Sequence, residues 1–295
     1  MFYFILTLFF YSTLEIASKP LMAFMDPFFL TLVRFSIGFF VILIFMLLSG
    51  QEKDLLKLTG RQIQKLAFLG FLNIFFSMSM LQLAIKTTSA ATAAVVFCSN
   101  PLFVLMFSII SGEEKATIKN FTPIFFGIVG TYFVMTDKGL VIDYGVIYAL
   151  LAAIGFALFT VMNKKLLKKL HPLTINTVSF FFGILILLVF ILISGRGFVA
   201  TPLMEHGIKS ISLVLYLGVL VSGLAYITFF KTLQRYTAVS SSYLFLLKPT
   251  VATILAILLL GEKVGLNFWI GMLMIIIGGM IIVYRYHRKN SREHI

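Results

Sequence analysis

Cysteine is almost absent from this chain: Cys98 is the only one, which excludes a disulfide framework. Histidine is nearly as scarce, with His171, His206, His287 and His294 at or near the ends of apolar runs. That placement indicates no metal site. Acidic residues number 11 of 295 and charged residues of either sign only 12%, too few to solvate the surface of a soluble domain. Nowhere does Gly-x-x-x-x-Gly-Lys-Ser/Thr occur, so a nucleotide-driven machine is not expected of this chain alone, and no cofactor is implied. A glycine-rich dinucleotide loop is missing too; Gly127, Gly130, Gly278 and Gly279 read as points of close helix packing.

What fills the chain instead is apolar. Hydrophobic residues make up 60% of it, with a mean hydropathy of +1.04, which places it among membrane proteins. Continuous apolar runs of about 20 residues are long enough to cross a hydrocarbon core of roughly 30 Å as helices. Ten such runs are read, at about 2–24, 28–49, 64–85, 89–111, 119–136, 143–163, 173–194, 209–230, 238–260 and 264–284. They are continuous rather than alternating, and only helices satisfy their own backbone in lipid. The expected fold is an all-α, polytopic bundle of ten transmembrane helices. The first run lacks a basic start and a small-residue cleavage site, so it is read as a helix rather than a signal peptide.

The chain also repeats itself. Thr88 to Glu113, TSAATAAVVFCSNPLFVLMFSIISGE, returns as Thr237 to Glu262, TAVSSSYLFLLKPTVATILAILLLGE. Pro249 lies 148 residues after Pro101 and Glu262 lies 149 after Glu113, while Lys19, Pro27 and Gly38 return 145 residues later as Lys164, Pro172 and Gly183. Such a long period means two homologous halves. We divide them as 1–138 and 139–285, followed by a basic tail over 286–295. Five spans per half force the halves into opposite orientation, the inverted repeat of secondary transporters, with the site near mid-membrane and access that alternates. Pro101 and Pro249 would each free a backbone carbonyl in mid-helix.

Lys and Arg distribute unevenly over the loops. Sixteen fall on the side bearing both termini and six on the other, the remaining two being Arg34 and Lys248 within spans. Both termini are therefore expected in the cytoplasm of a cell-membrane protein. The same scatter over short loops accounts for the net charge of +13 as topology signal and lipid-headgroup contact, without nucleic acid as a partner.

With Arg34-Phe35, Thr88 to Ala90, Asn100-Pro101, the Gly112-Glu113 and Gly261-Glu262 closures and the mirrored TAVSSS and KPT of the second half, the chain resembles a drug/metabolite transporter superfamily member with two EamA domains. The resemblance covers essentially the whole chain. It implies a ten-helix carrier of small metabolites such as amino acids and amines, in a family where many members export. It implies no particular cargo. Glu15 departs from the usual uncharged first helix of two-domain members, whereas single-repeat multidrug relatives carry a functional glutamate in that helix.

Polar groups inside apolar spans are costly and mark function. Glu15 is the one acid well inside a run; Arg34 and Lys248 are the bases. At helical rise Glu15 lies roughly 20 Å from the Phe2 end and Arg34 roughly 10 Å below Pro27, one level of a core about 30 Å thick. An ion pair of Glu15 with Arg34, or with Lys19 one turn on, is one expectation. The other is a substrate site in which Glu15 binds an ammonium or a coupling proton and Lys248 or Arg34 a carboxylate, as a zwitterion would require. Asn100 and Tyr243, near the duplicated prolines, and Tyr11, Asn73 and Tyr226 are further candidate contacts, with Ser77, Gln82 and Thr228 as interhelix glue. The 33 phenylalanines read as lipid-facing and interhelix filler, and Trp269 as an interface anchor.

Function is thus expected to be secondary active transport of amino acids or amino-acid-like zwitterions by alternating access, with export as the direction the resemblance implies. Cationic amines or drugs are the alternative cargo. From other classes, a membrane-embedded enzyme would need clustered acid, base or metal groups that the loops do not show, and a passive channel would not saturate. Expected partners are a small-molecule substrate, the bilayer and a coupled proton, for a monomer or dimer.

Overall fold

The computed structural model describes residues 2–115, 118–137, 143–195, 207–241 and 244–293, and leaves undescribed the side chains of 118–121, 240, 244, 246 and 282–293. Among the described residues every regular element is helical. In chain order they are α1 (Phe2–Ser12), α2 (Leu14–Ser18), α3 (Pro27–Leu48), α4 (Gly60–Thr87), α5 (Ala90–Phe97), α6 (Asn100–Ile110) and α7 (Ile118–Met135). The second half continues with α8 (Tyr144–Leu166), α9 (Pro172–Ile193), α10 (Gly207–Arg235), α11 (Ala238–Ser241), α12 (Leu244–Leu260) and α13 (Leu266–Glu293). Six segments are long and apolar enough to cross a membrane: α3, α4, α5 with α6, α8, α9 and α10. Thr122–Met135, Leu247–Leu260 and Leu266–Ile281 are shorter apolar helices.

The first apolar run is not one helix. At Thr13 the backbone tightens, its amide reaching Phe10 O at 3.4 Å. The Thr13 hydroxyl bonds the same carbonyl at 2.9 Å and the Tyr216 hydroxyl at 2.6 Å. A threonine that bonds back to its own turn competes with regular helix, so α1 and α2 are separate and a 3-10 turn over Lys19–Ala23 follows.

The repeat is visible in how helices begin and end. Asp26 caps α3 by accepting from the amides of Phe28 and Phe29, and 145 positions on His171 caps α9 by accepting from Leu173, each with a proline at the first helical position. Lys19 donates to the carbonyls of Ile85 (2.8 Å) and Thr88 (2.6 Å), and its counterpart Lys164 donates to Leu233 (2.7 Å) and Gln234 (3.2 Å). Both lysines thus cover the C-terminal carbonyls of α4 and α10, where a cation also meets the negative end of the helix dipole.

Each of those two helices carries a π-helical stretch, Phe71–Met78 in α4 and Leu217–Leu224 in α10. Widened turns of this kind cluster at functional sites. The stretches pack tightly: α10 lies against α3 where Gly38 faces Ser222, and α4 lies against α9 where Gly70 faces Gly183. The two Gly-Glu closures end their helices on left-handed glycines, φ 75° at Gly112 and 66° at Gly261, a conformation that favours a residue without Cβ. Glu262 then accepts from the amides of Ala90 (2.7 Å) and Ala91 (3.0 Å), so one half caps the first turn of α5 in the other.

Large apolar side chains such as Phe40, Leu48, Ile110, Ile193 and Leu258 are exposed around the periphery. Such an extended apolar surface suits lipid rather than water.

Candidate functional site

Glu15 on α2 and Lys248 on α12 meet in the interior. Lys248 Nζ donates to Glu15 Oε1 at 2.6 Å, with both side chains buried. The Lys248 ammonium also lies 4.8 Å from the centre of the Phe97 ring, which attracts a cation through its π face. Lys248 borders a cavity of about 20 Å³, room for about one water molecule on that measure. Tyr11, Leu14, Phe97, Phe156, Tyr226 and Phe245 are among its other walls, and every one is buried.

This pairing differs from the Glu15–Arg34 pair expected from depth along the chain. Among the described residues Arg34 has no carboxylate partner; its Nη1 donates weakly to Ser222 Oγ at 3.4 Å, and its guanidinium lies 4.6 Å from the centre of the Phe35 ring. Nor does Lys19 hold Glu15, because it covers the end of α4. Depth specifies a level in the membrane but not a direction around the helix, and that direction brings Glu15 to the other half of the chain.

The remaining candidates divide. Tyr11 and Tyr226 pack edge to face with ring centres 5.8 Å apart, and the Tyr226 hydroxyl donates to Asn73 Oδ1 at 2.9 Å. These three therefore join the site. Asn100 does not: it donates to the Ala153 carbonyl at 2.9 Å, tying α6 to α8. Tyr243 lies outside the described residues. Ser77 donates to Ala152 O, Gln82 to Ser18, and Thr228 shares a hydrogen bond with Thr7, all between helices. The prolines behave differently from each other. Pro101 sits in the first turn of α6, where no helical amide is required of it, after a break at Cys98 and Ser99; Pro249 lies inside α12, next to Lys248.

Phe97, Phe156, Phe245 and Ser222 escaped the residue-by-residue reading, which took phenylalanine as filler. The repeat itself held the signal. Phe97 and Phe245 are 148 positions apart and their rings touch, with centres 5.8 Å apart. Phe35 and Phe180, 145 apart, do likewise at 5.1 Å. Repeat-equivalent residues that touch lie where the two halves meet.

A second cavity of about 320 Å³ lies among α6, α7 and α8, lined by Leu102, Phe103, Met106 and Ile128 with Ser99 and Thr131. Ser99 spends its hydroxyl on Val96 O at the end of α5 and Thr131 on Gly127 O in its own helix, and among the described residues no charged group lines the cavity, so the smaller cavity is the better candidate despite its size. Among the described residues no three His, Cys, Asp or Glu side chains gather to hold a metal ion.

A helical, twofold-repeated membrane architecture with a buried ion pair between its halves defines a class, the membrane transporters built from repeats. Comparison with known proteins agrees and narrows it: the EamA-like transporter family matches residues 1–136 and again 143–284, and the chain belongs to that family. It is 36% identical to an uncharacterized transporter of Clostridium kluyveri over 97% of this chain and 93% of that protein. It is 23% identical to one of Archaeoglobus fulgidus over 94% and 96%, and 24% identical to YoaV of Bacillus subtilis over 72% and 73%. A crystal structure with 17% identity superposes with a TM-score of 0.72 and covers 97% of each chain, which shows the shared fold.

Proposed function

We propose that this transporter is a secondary active carrier that exports small zwitterions of the amino-acid kind across the cell membrane by alternating access. The observation that carries the reading is the buried Glu15–Lys248 pair, whose lysine lines a small interior cavity. A buried ion pair adds little net stability for its desolvation cost, so its presence calls for another role. In this reading the ammonium of the cargo replaces that of Lys248 at Glu15, and the released Lys248 or Arg34 receives the cargo's carboxylate. A proton taken by Glu15 would release Lys248 in the same way, which makes Glu15 the candidate coupling group.

The ten spans, arranged as inverted halves over 1–138 and 139–285 with both termini in the cytoplasm, belong to the same proposal, supported by the repeat and by the sixteen-to-six bias of basic residues. The test is counterflow in proteoliposomes with a panel of amino acids and amines, beside Glu15→Gln and Lys248→Ala. Saturable exchange of a zwitterion that both substitutions abolish is the expected result. Exchange of cationic amines alone would favour the amine cargo, unsaturable flux a channel, and no flux of any compound would defeat the carrier reading.

A further inference from the structure

The buried charges do not balance. Among the described residues the buried ionisable side chains of definite charge are Glu15, Arg34 and Lys248, at 0%, 0% and 2% exposure. Glu15 is paired with Lys248 through Oε1, so its one negative charge faces two positive ones. Arg34 cannot shed its proton, and an unmatched charge in a dry interior is expensive.

Four of the atoms left unpartnered in this part of the interior share one chemistry. Among the described residues Arg34 Nε and Nη2, Asn73 Nδ2 and the Tyr11 hydroxyl are all buried without a hydrogen-bond partner, and all four can donate; Glu15 Oε2 is an acceptor left unpartnered in the same way. The four donors are gathered about Tyr226. Its hydroxyl holds Asn73 Oδ1 at 2.9 Å, which fixes the amide with its Nδ2 available. Its ring lies 5.8 Å from Tyr11 and 5.6 Å from Phe35, centre to centre, and Phe35 in turn supports the guanidinium at 4.6 Å.

We propose that Arg34, Asn73 and Tyr11 form an anion subsite beside the Glu15–Lys248 pair, built to take a single negative charge in carboxylate geometry. The guanidinium fork presents parallel N–H donors to a carboxylate, and the amide and phenol complete the set. The charge comes either from the cargo's own carboxylate or from a small inorganic anion held while the cargo moves. The inference rests on the carrier reading for what enters the membrane, but anion binding itself is measurable without transport. It also makes Ser222, which accepts from Nη1, a positioning residue for Arg34.

The test uses the purified full chain in detergent, exchanged into a HEPES buffer without other anions, and reads the thermal midpoint against added chloride, acetate, glycine or methylammonium. Tyr11→Phe deletes a hydroxyl that makes no hydrogen bond and so puts folding at little risk; Arg34→Gln removes the charge. The expected result is saturable stabilisation by acetate or glycine whose half-saturating concentration rises at least tenfold in both variants, with no comparable effect of the cation methylammonium. Chloride acting as well as acetate assigns the site to an inorganic anion, and carboxylates acting alone assign it to the cargo. Absence of any saturable anion effect, or unchanged half-saturation in both variants, overturns the subsite. Saturable counterflow of a cationic compound alongside that outcome would leave the carrier standing, whereas anion binding without flux of any compound would leave the subsite and remove the carrier.

Discussion

Lys248 and Glu15 show how differently two residues behave as a pair and as individuals. Removing one partner of a buried pair strands the other charge, at a cost of about 3–5 kcal/mol, whereas replacing both with apolar groups of similar volume is often neutral or stabilising. Lys248→Met is therefore expected to lower the unfolding free energy by about 3–5 kcal/mol, and the double variant with Glu15→Leu to recover most of it. Denaturant titration of the four proteins in a double-mutant cycle measures this. Additive losses would mean that the pair is not formed. Transport is expected to fail in all three variants, which separates the stability of the pair from its use. From the chain alone, the three intramembrane charges were legible because their types are rare in apolar runs, but their partners were not. Glu15 and Lys248 are 233 positions apart, and no local spacing rule reaches that far.

At the scale of the helix, the two halves use the same positions with different chemistry. Asp26 and His171 both cap by accepting amides, but only His171 can lose that ability near neutral pH by gaining a proton on its ring nitrogen. Burial holds its folded pKa below the ordinary 6.5, helped by Lys231 and opposed by Asp54. Because the unfolded chain then binds the proton more readily, the stabilisation is present above about pH 6.5 and is lost as the pH falls through the depressed folded value. The effect is small, since the ring is partly exposed. His171→Asp, copying the first half, should remove this component from a profile of thermal midpoint against pH between 5 and 8, and an unchanged profile would show that the ring does not cap in solution.

Helix contact is tighter still at Gly70, where an added Cβ would stand 2.1 Å from Ser179 O and 2.7 Å from Gly183 N, both backbone atoms. Gly70→Ala must push α4 from α9 and is expected to cost about 1–3 kcal/mol, typical of overpacking, read as a lower denaturation midpoint. A variant as stable as the parent would mean that these helices have room between them. The expected run over 64–85 located this helix well enough. Its π-helical stretch, which packs against α9 and α8, was not legible, because nothing in FLNIFFSM differs in hydropathy from ordinary helix.

Across the whole molecule, contacts between the halves decide the site. Glu262 uses both carboxylate oxygens to cap α5 of the first half. Glu262→Gln keeps one acceptor oxygen and loses the charge, so the cap should weaken by about 0.5–2 kcal/mol. The expected reading is a lower thermal midpoint with unchanged affinity for any ligand bound at Arg34. A loss of affinity without loss of stability would instead place Glu262 in the transport path.

The sequence by itself determined the class, the repeat and the rarity of three buried charges, because hydropathy, period and residue type are properties of the chain and need no partner. It also carried the family, through motifs spread over both halves. Which charge meets which was decided only in three dimensions. Depth along the chain offered Arg34 or Lys19 as the partner of Glu15, whereas the approach of α12 from the other half to α2 supplies Lys248. That choice leaves Arg34 buried beside unpartnered donors, a consequence of packing that no reading of one helix at a time contains.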